Sequence, residues 1–341
     1  MKFLSSCYCC VLAYNIVHTA LSCRILRKHT RSILRAETVE KKHSNCRVIF
    51  ENGKCFQMSR VAIVKGTRPV EMTVKALENI GSDVDGLLSE KRPILIKPNY
   101  INSSHPSTGI TTDARVLEGI VKFLRERKVK EIVIGEGSGF ADPFEAFQVA
   151  GVDALAERWS VKLVDLNKDE FVEVKPPDPL SLKSVMVAKT ALESTIISVP
   201  KLKPHRIATI TLSLKNMMGA LASKGTMHKG RLSQRIADLA SVLKPSVSVV
   251  DGIVAGEGHE TSGNPVEMNL VMAGADPVAV DAVGAAVMGI PPGDVKHLVF
   301  AEKKGLGTCN LEEITVLGEP IENVRQKFQR SFSSRLLGHI G

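Results

Sequence analysis

Two neighbouring stretches of this chain carry opposite charge. From Ser194 to Ala237 there is no Asp or Glu, yet the stretch holds Lys201, Lys203, His205, Arg206, Lys215, Lys224 and His228. From Pro245 to Val295 there is no Lys or Arg, yet it holds Asp251, Glu257, His259, Glu260, Asp276 and Asp281. Lys201, Lys203 and His205 follow the β-branched run Ile196–Val199, and Lys215 and Asn216 follow Ala208–Leu214. In parallel α/β sheets ligands bind beyond the carboxyl ends of strands. Cations at two such ends suit a carboxylate or phosphate. Lys97 and Asn99 close a third apolar strand and could join the same rim. The competing reading is a basic face paired with the acidic stretch, where surface ion pairs contribute little.

Asp251 ends a strand and opens Asp251-Gly-Ile-Val-Ala-Gly-Glu-Gly-His259, in which Gly252, Gly256 and Gly258 are expected to form a loop able to approach a ligand closely. Asp251, Glu257 and His259 are therefore the candidate catalytic acids and bases. They could also bind Mg²⁺, Mn²⁺ or Zn²⁺, although their spacing matches no firm metal motif. Gly135, Gly137 and Gly139 lie between a strand and a helix, where a phosphate loop of a cofactor site would sit. The pattern is not GxGxxG. Asp276 reads as a helix N-cap. No GxSxG elbow appears, and Cys309 reads as an inert thiol.

The elements that must position these residues alternate. Strands are expected at Val61–Lys65, Pro93–Lys97, Glu131–Gly135, Val161–Leu166, Ser194–Val199, Ala208–Leu214, Val247–Asp251, Asn269–Ala273 and Ile314–Leu317. Helical periodicity marks Val70–Ile80, Thr112–Arg127 (capped by Thr111 or Thr112), Pro143–Ala150, Met217–Leu221, Leu232–Leu243 and Ala279–Met288. This is α/β order: a largely parallel or mixed sheet with helices on both faces, in one large domain. Residues 167–189 read as irregular, and the tail after Gln326 as frayed.

Composition limits the function classes. The formal net charge is +9, but residues 1–57 contribute ten basic and three acidic residues to it, leaving the body near neutral. With 4% aromatics besides, nucleic acid is not an expected partner. Six of the seven cysteines precede Met58. A body with one cysteine fits a reducing, cytoplasmic compartment and lacks the cysteine run of an iron–sulfur cluster.

The chain divides as residues 1–57, an N-terminal extension; 58–320, the α/β domain; and 321–341, a basic tail. Phe3–Cys23 contains no charged residue and is followed by a basic run. It reads as a membrane anchor with the body in the cytoplasm, as a signal peptide, or as an over-long gene start before Met58. Cys7 and Cys10 have CxxC spacing with no second pair, which reads as chance.

Taken in order, Ile96-Lys-Pro-Asn99, Gly109-Ile-Thr-Thr112, Ile134-Gly-Glu-Gly137, Val199-Pro-Lys-Leu-Lys203 with His205, Ser213-Leu-Lys-Asn-Met-Met-Gly219, Val250-Asp-Gly-Ile253, Gly274-Ala-Asp-Pro-Val-Ala-Val-Asp281 and Gly305-Leu-Gly307 resemble the prokaryotic family called domain of unknown function 362. The resemblance covers about Val61 to Gly318 and none of residues 1–57. It implies an α/β domain without a settled reaction. Many members carry a ferredoxin-like cluster module, which suggests redox roles. This chain lacks those cysteines.

Three function classes follow. The first is an enzyme on a small anionic metabolite, with an oxidoreductase the most natural subclass and an isomerase next. The second is a non-catalytic binding or accessory module using the same pocket. The third, nucleic-acid binding, is opposed by the near-neutral body. Substrate, cofactor and oligomeric state are not encoded in any motif found.

Overall fold

The computed structural model describes residues 48–51, 54–88 and 92–331, in two compact units. In the first unit, Met1–Gln57, β1 (Val48–Glu51) and β2 (Lys54–Gln57) form an antiparallel hairpin. The apolar run 3–23, the Cys7–Cys10 pair and the basic run after them lie outside the described residues. Among the described residues no helix is long and apolar enough to cross a membrane.

The second unit, Met58–Gly341, is built on one sheet. Its strands are β3 (Ser59–Lys65), β4 (Ile94–Lys97), β5 (Ile132–Glu136), β6 (Lys162–Asp165), β9 (Thr195–Ser198), β12 (Val247–Glu257), β13 (Asn264–Gly274) and β14 (Ile314–Gly318). The short pairs β7 (Phe171–Val174) with β8 (Val185–Ala188) and β10 (Lys203–His205) with β11 (Thr209–Thr211) stand apart from it. The strand order is β14-β3-β13-β12-β9-β4-β5-β6. Only β13 runs against the others. The protein is thus an α/β fold on a mostly parallel, mixed sheet.

Strand periodicity divides the sheet's side chains between two apolar layers. Ile94 and Ile96 face one layer with the helices α1 (Pro69–Asn79), α3 (Ala114–Glu126) and α4 (Pro143–Ala150); α2 (Gly81–Leu88) adds Val84. Leu95 faces the other layer with α8 (Leu232–Ala240), α9 (Pro277–Val287) and α10 (Lys296–Lys303). Between these groups lie the short helices α5 (Val152–Trp159), α6 (Lys189–Leu192) and α7 (Ser213–Asn216), and α11 (Ile321–Val324) follows β14. Apolar residues on both sides explain why the central strands read as continuous apolar runs.

The chain leaves β4 for β5 and β6 on one side and returns to β9 on the other. The connections after β4 and β9 therefore diverge, opening a crevice at the carboxyl ends of these strands.

Several elements differ from the sequence expectation. The strand expected to stop at Asp251 runs to Glu257, so Gly252 and Gly256 lie inside β12 rather than in a loop. A bulge between Gly252 and Val254 absorbs the irregularity. Gly256 fits because its backbone packs on the Gly109 carbonyl, which a Cβ would strike. Only Thr209–Thr211 of the run Ala208–Leu214 is strand, and it pairs with β10, outside the main sheet. The helix at Ala114 is capped by Asp113, whose Oδ1 accepts from the Arg115 N–H at 2.9 Å; neither Thr111 nor Thr112 caps it. The irregular middle contains the β7–β8 pair. The tail is docked rather than frayed as far as Arg330. The Gln326 and Phe328 N–H groups donate to the carbonyls of Val287 and Met288, and Phe328 is buried.

Beyond β9 the chain runs alongside β12. The Asp251 N–H donates to the Pro200 carbonyl, and the Leu202 N–H donates to the Asp251 carbonyl. Lys201 Nζ lies 2.7 Å from Asp251 Oδ2, with both side chains fully buried. The same oxygen accepts from the Asp113 N–H at 2.7 Å, and Oδ1 accepts from the Ile253 N–H at 2.9 Å. Burial pushes the Asp251 carboxyl up, against the pull of Lys201.

Removing one partner of such a pair strands a buried charge and costs about 3–5 kcal/mol. Urea unfolding is expected to show this loss for Lys201→Met and for Asp251→Leu. The double variant is expected to recover much of it. A double variant no better than the worse single one would contradict this role.

Candidate functional site

A cavity of about 660 Å³ opens at the carboxyl ends of β4 and β5. Its wall includes Lys97, Asn99, Tyr100, Glu136, Gly137, Ser138, Gly139, Asn167, Thr211, Lys215, Asn216, Gly219, Lys224 and His228.

The floor is an ion pair. Lys97 Nζ, at the end of β4, donates to Glu136 Oε1 at 2.7 Å and to the Pro98 carbonyl at 3.0 Å. Glu136, at the end of β5, also accepts from the backbone N–H groups of Tyr100 and Gly137, each at 2.8 Å. Burial lowers the Lys97 pKa while Glu136 raises it. Asn216 bridges the two diverging strands: its Nδ2 donates to the Lys97 carbonyl at 3.0 Å and to Ser198 Oγ at 3.1 Å, and its Oδ1 accepts from Asn99 Nδ2 at 3.2 Å. Gly219 lies directly over the ion pair; a Cβ there would collide with Lys97 Nζ and Glu136 Oε1. Gly137 is constrained likewise by the Gly219 carbonyl.

One wall is the single turn α7, which carries Lys215 and Asn216. Its placement depends on α9. Asp281 accepts from the Ser213 N–H at 2.7 Å and the Leu214 N–H at 3.0 Å. The absence of a side chain at Gly284 brings α9 close to Leu212. Burial raises the Asp281 carboxyl to about 8. Asp276 caps α9, as expected, accepting from the N–H groups of Val278 and Ala279.

Lys215 is half-buried at the cavity. No hydrogen bond or ion pair joins its ammonium to any described residue. Burial lowers its pKa to about 8, with Glu260 opposing. Glu260 is itself held by Arg206 Nε at 3.1 Å and His205 Nε2 at 3.5 Å. Lys224 Nζ bonds only neutral acceptors, Asn167 Oδ1 at 2.6 Å and the Leu221 carbonyl at 3.1 Å. Burial, then Lys215, lowers His228. With His228 neutral, three lysines and one glutamate leave the cavity lining with a formal excess of two positive charges.

The residues singled out from sequence divide between cavity and frame. Lys97, Asn99, Lys215, Asn216, Gly137 and Gly139 line the cavity. Gly135 lies within β5 against Leu95 and Leu166. Lys201 is committed to Asp251. Lys203 is buried, donates to the carbonyls of Ile110 at 2.6 Å and Glu260 at 3.1 Å, and is lowered to about 7 by burial. His205 Nδ1 accepts from the Ile207 and Ala208 N–H groups, placing its proton on Nε2 towards Glu260; burial holds its pKa well down.

Asp251, Glu257 and His259 are not gathered. Asp251 and Glu257 are six residues apart along one strand, about 20 Å. Glu257 accepts from the Gln329 N–H. His259 Nδ1 bonds the Thr261 backbone. None of the three lines the cavity. Among the described residues no group of three His, Cys, Asp or Glu is placed to hold a metal ion. Cys309 bonds Glu302, and burial raises its thiol to about 12.

Sequence reasoning did not assign Glu136, Tyr100, Asn167, Lys224 or His228 to the site, although Lys224 and His228 lie in the acid-free stretch. The available signal for Glu136 was its place at the end of a strand neighbouring the one that ends in Lys97.

The fold is α/β, with a basic crevice at the carboxyl ends of β4 and β5. The chain belongs to the family described as Domain of unknown function (DUF362), which matches residues 94–286. Every cavity residue named above falls inside that match. The chain is also 25% identical over 241 residues to the thylakoid-associated protein sll1697 of Synechocystis sp., covering 68% of this chain and 74% of that one.

Asp281→Ala leaves two buried N–H groups unpaired, at about 1–3 kcal/mol each. Asp281→Asn keeps a neutral acceptor and is expected to cost less. The native state holds the Asp281 proton more tightly than the unfolded chain does. Stability therefore falls as pH rises from 3.8 towards about 8. Urea titrations across that range are expected to show a flatter slope for Asp281→Asn.

Proposed function

We propose that this protein is an enzyme acting on a small anionic metabolite held in the cavity at the ends of β4 and β5. The observation that carries the reading is Lys215, an ammonium with no partner among the described residues, half-buried where the lining has excess positive charge. A cation in a restricted space is costly unless an anion or a proton loss compensates it.

The reaction class best supported is proton transfer, as in an isomerase. Lys215 has a pKa near neutrality and His228 is neutral, so both can exchange protons at physiological pH. Hydride transfer from a phosphate-anchored cofactor has less support, because the Gly137 N–H of the glycine segment is already bonded to Glu136. In this reading Asp251 and Lys201 hold the frame, and Lys215, Lys224 and Asn216 bind the ligand. The proposed compartment is a reducing one, consistent with a single cysteine in the body. Thylakoid association is stated of the Synechocystis protein.

Calorimetric titration with pyrophosphate and with malonate is expected to show one site per chain. Lys215→Met is expected to weaken it about 10–100-fold, the value of a charge-assisted contact. A bound anion favours the protonated amine, so affinity is expected to fall as pH rises through about 8. Unchanged affinity in Lys215→Met would contradict the reading.

A further inference from the structure

Lys215 has a feature that anion binding alone does not use. A lysine serving only as a counter-ion gains from staying fully charged, and a nearby carboxylate would help it do so. Here the acid that acts on Lys215 electrostatically, Glu260, is engaged by Arg206 and His205 instead. The cavity has a second cation, Lys224, whose bonded partners are neutral oxygens. Thr211, four residues before Lys215 and on the same cavity wall, is buried with its hydroxyl unpartnered among the described residues. The cavity therefore offers an amine and a hydroxyl without partners among the described residues, and a cation bonded only to neutral oxygens.

We infer that Lys215 is an amine nucleophile that forms an imine with the carbonyl group of a small oxo acid, whose carboxylate is held by Lys224. The inference rests on the anion-binding reading and names its substrate class. The neutral Lys215 nitrogen donates its lone pair to the carbonyl carbon, and the carbonyl oxygen takes a proton, giving a carbinolamine. The nitrogen then loses its remaining proton, the hydroxyl leaves as water, and a carbon–nitrogen double bond replaces the carbon–oxygen one. One water is released for each imine formed, and nothing is oxidised or reduced. His228, neutral and electrostatically coupled to Lys215, carries the proton between nitrogen and departing oxygen. Protonated again at nitrogen by His228, the resulting iminium acidifies the neighbouring C–H bond, which supplies the proton transfer proposed above.

A pKa of about 8 serves this step. At neutral pH about a tenth of Lys215 is uncharged, whereas an ordinary lysine is almost wholly protonated.

The test is reductive trapping. The full chain is incubated with pyruvate and cyanoborohydride, which delivers hydride to the imine and fixes the ligand as a secondary amine. Peptide mass spectrometry is expected to find one adduct per chain, on Lys215. Its rate is expected to exceed that at the exposed Lys75 and Lys168 about tenfold or more and to rise with pH through about 8. Pyrophosphate is expected to compete. Lys215→Arg keeps the charge and is expected to lose the adduct while still binding pyrophosphate. Lys224→Ala is expected to raise the pyruvate concentration needed for half-maximal labelling. Labelling of Lys215 no faster than that of Lys75 would overturn the inference. If pyrophosphate binds the unaltered chain but pyruvate leaves Lys215 unlabelled, the imine falls and the anion site stands. If pyrophosphate does not bind either, both fall.

Discussion

The ion pair between Lys97 and Glu136 is the constraint on which the site depends. Two charges at the ends of adjacent buried strands persist only because they neutralise each other and have further hydrogen bonds. Their geometry dictates much of what surrounds them. Gly219 must lack a side chain to pass over the pair, and Gly137 must lack one to pass under the Gly219 carbonyl. Asn216 must be an amide, since it donates to Lys97 and Ser198 while accepting from Asn99. Once the floor is neutral, the remaining cavity charge belongs to Lys215 and Lys224, neither of which bonds a described carboxylate. The positive wall is thus defined by what the floor has already consumed.

The two blocks of opposite charge play a different part from the one their order suggests. Part of each is spent on the other. Lys201 neutralises Asp251 in the interior, Arg206 and His205 hold Glu260, and Lys203 ties the Ile110 and Glu260 carbonyls together. Lys201 and Lys203 are two residues apart in an extended segment, so their side chains leave it on the same side, and neither reaches the cavity wall. Lys215 escapes this pairing because α7 is a separate turn anchored from behind by Asp281. Paired, buried lysines and the unpaired cavity lysine thus occur within fifteen residues of each other, separated by which element carries them.

Most of the fold was legible because its strands are short apolar runs and its helices have clear faces, and both periodicities survive in a sheet covered on two sides. The long β12 was not. Gly252 and Gly256 look like loop residues, but one sits at a bulge and the other is required by close backbone contact with Gly109. Reading them as a loop made Asp251, Glu257 and His259 a candidate cluster, whereas the extended strand sets Asp251 far from Glu257. The cavity was half legible. Lys97, Asn99, Lys215 and Asn216 could be found as polar residues after apolar runs. Glu136 also ends an apolar run, but its pairing with Lys97, like the arrival of Lys224 and His228, depends on strand order, which a single chain does not display locally.

The central claim is that Lys215 is a cation awaiting an anion. A crystal structure of the protein soaked in tungstate, read by the anomalous signal of the metal, tests it directly. The account expects an oxyanion within hydrogen-bonding distance of Lys215 Nζ, above an intact Lys97–Glu136 pair. A Lys215 ammonium paired with a protein carboxylate, with tungstate absent from the cavity, would contradict it.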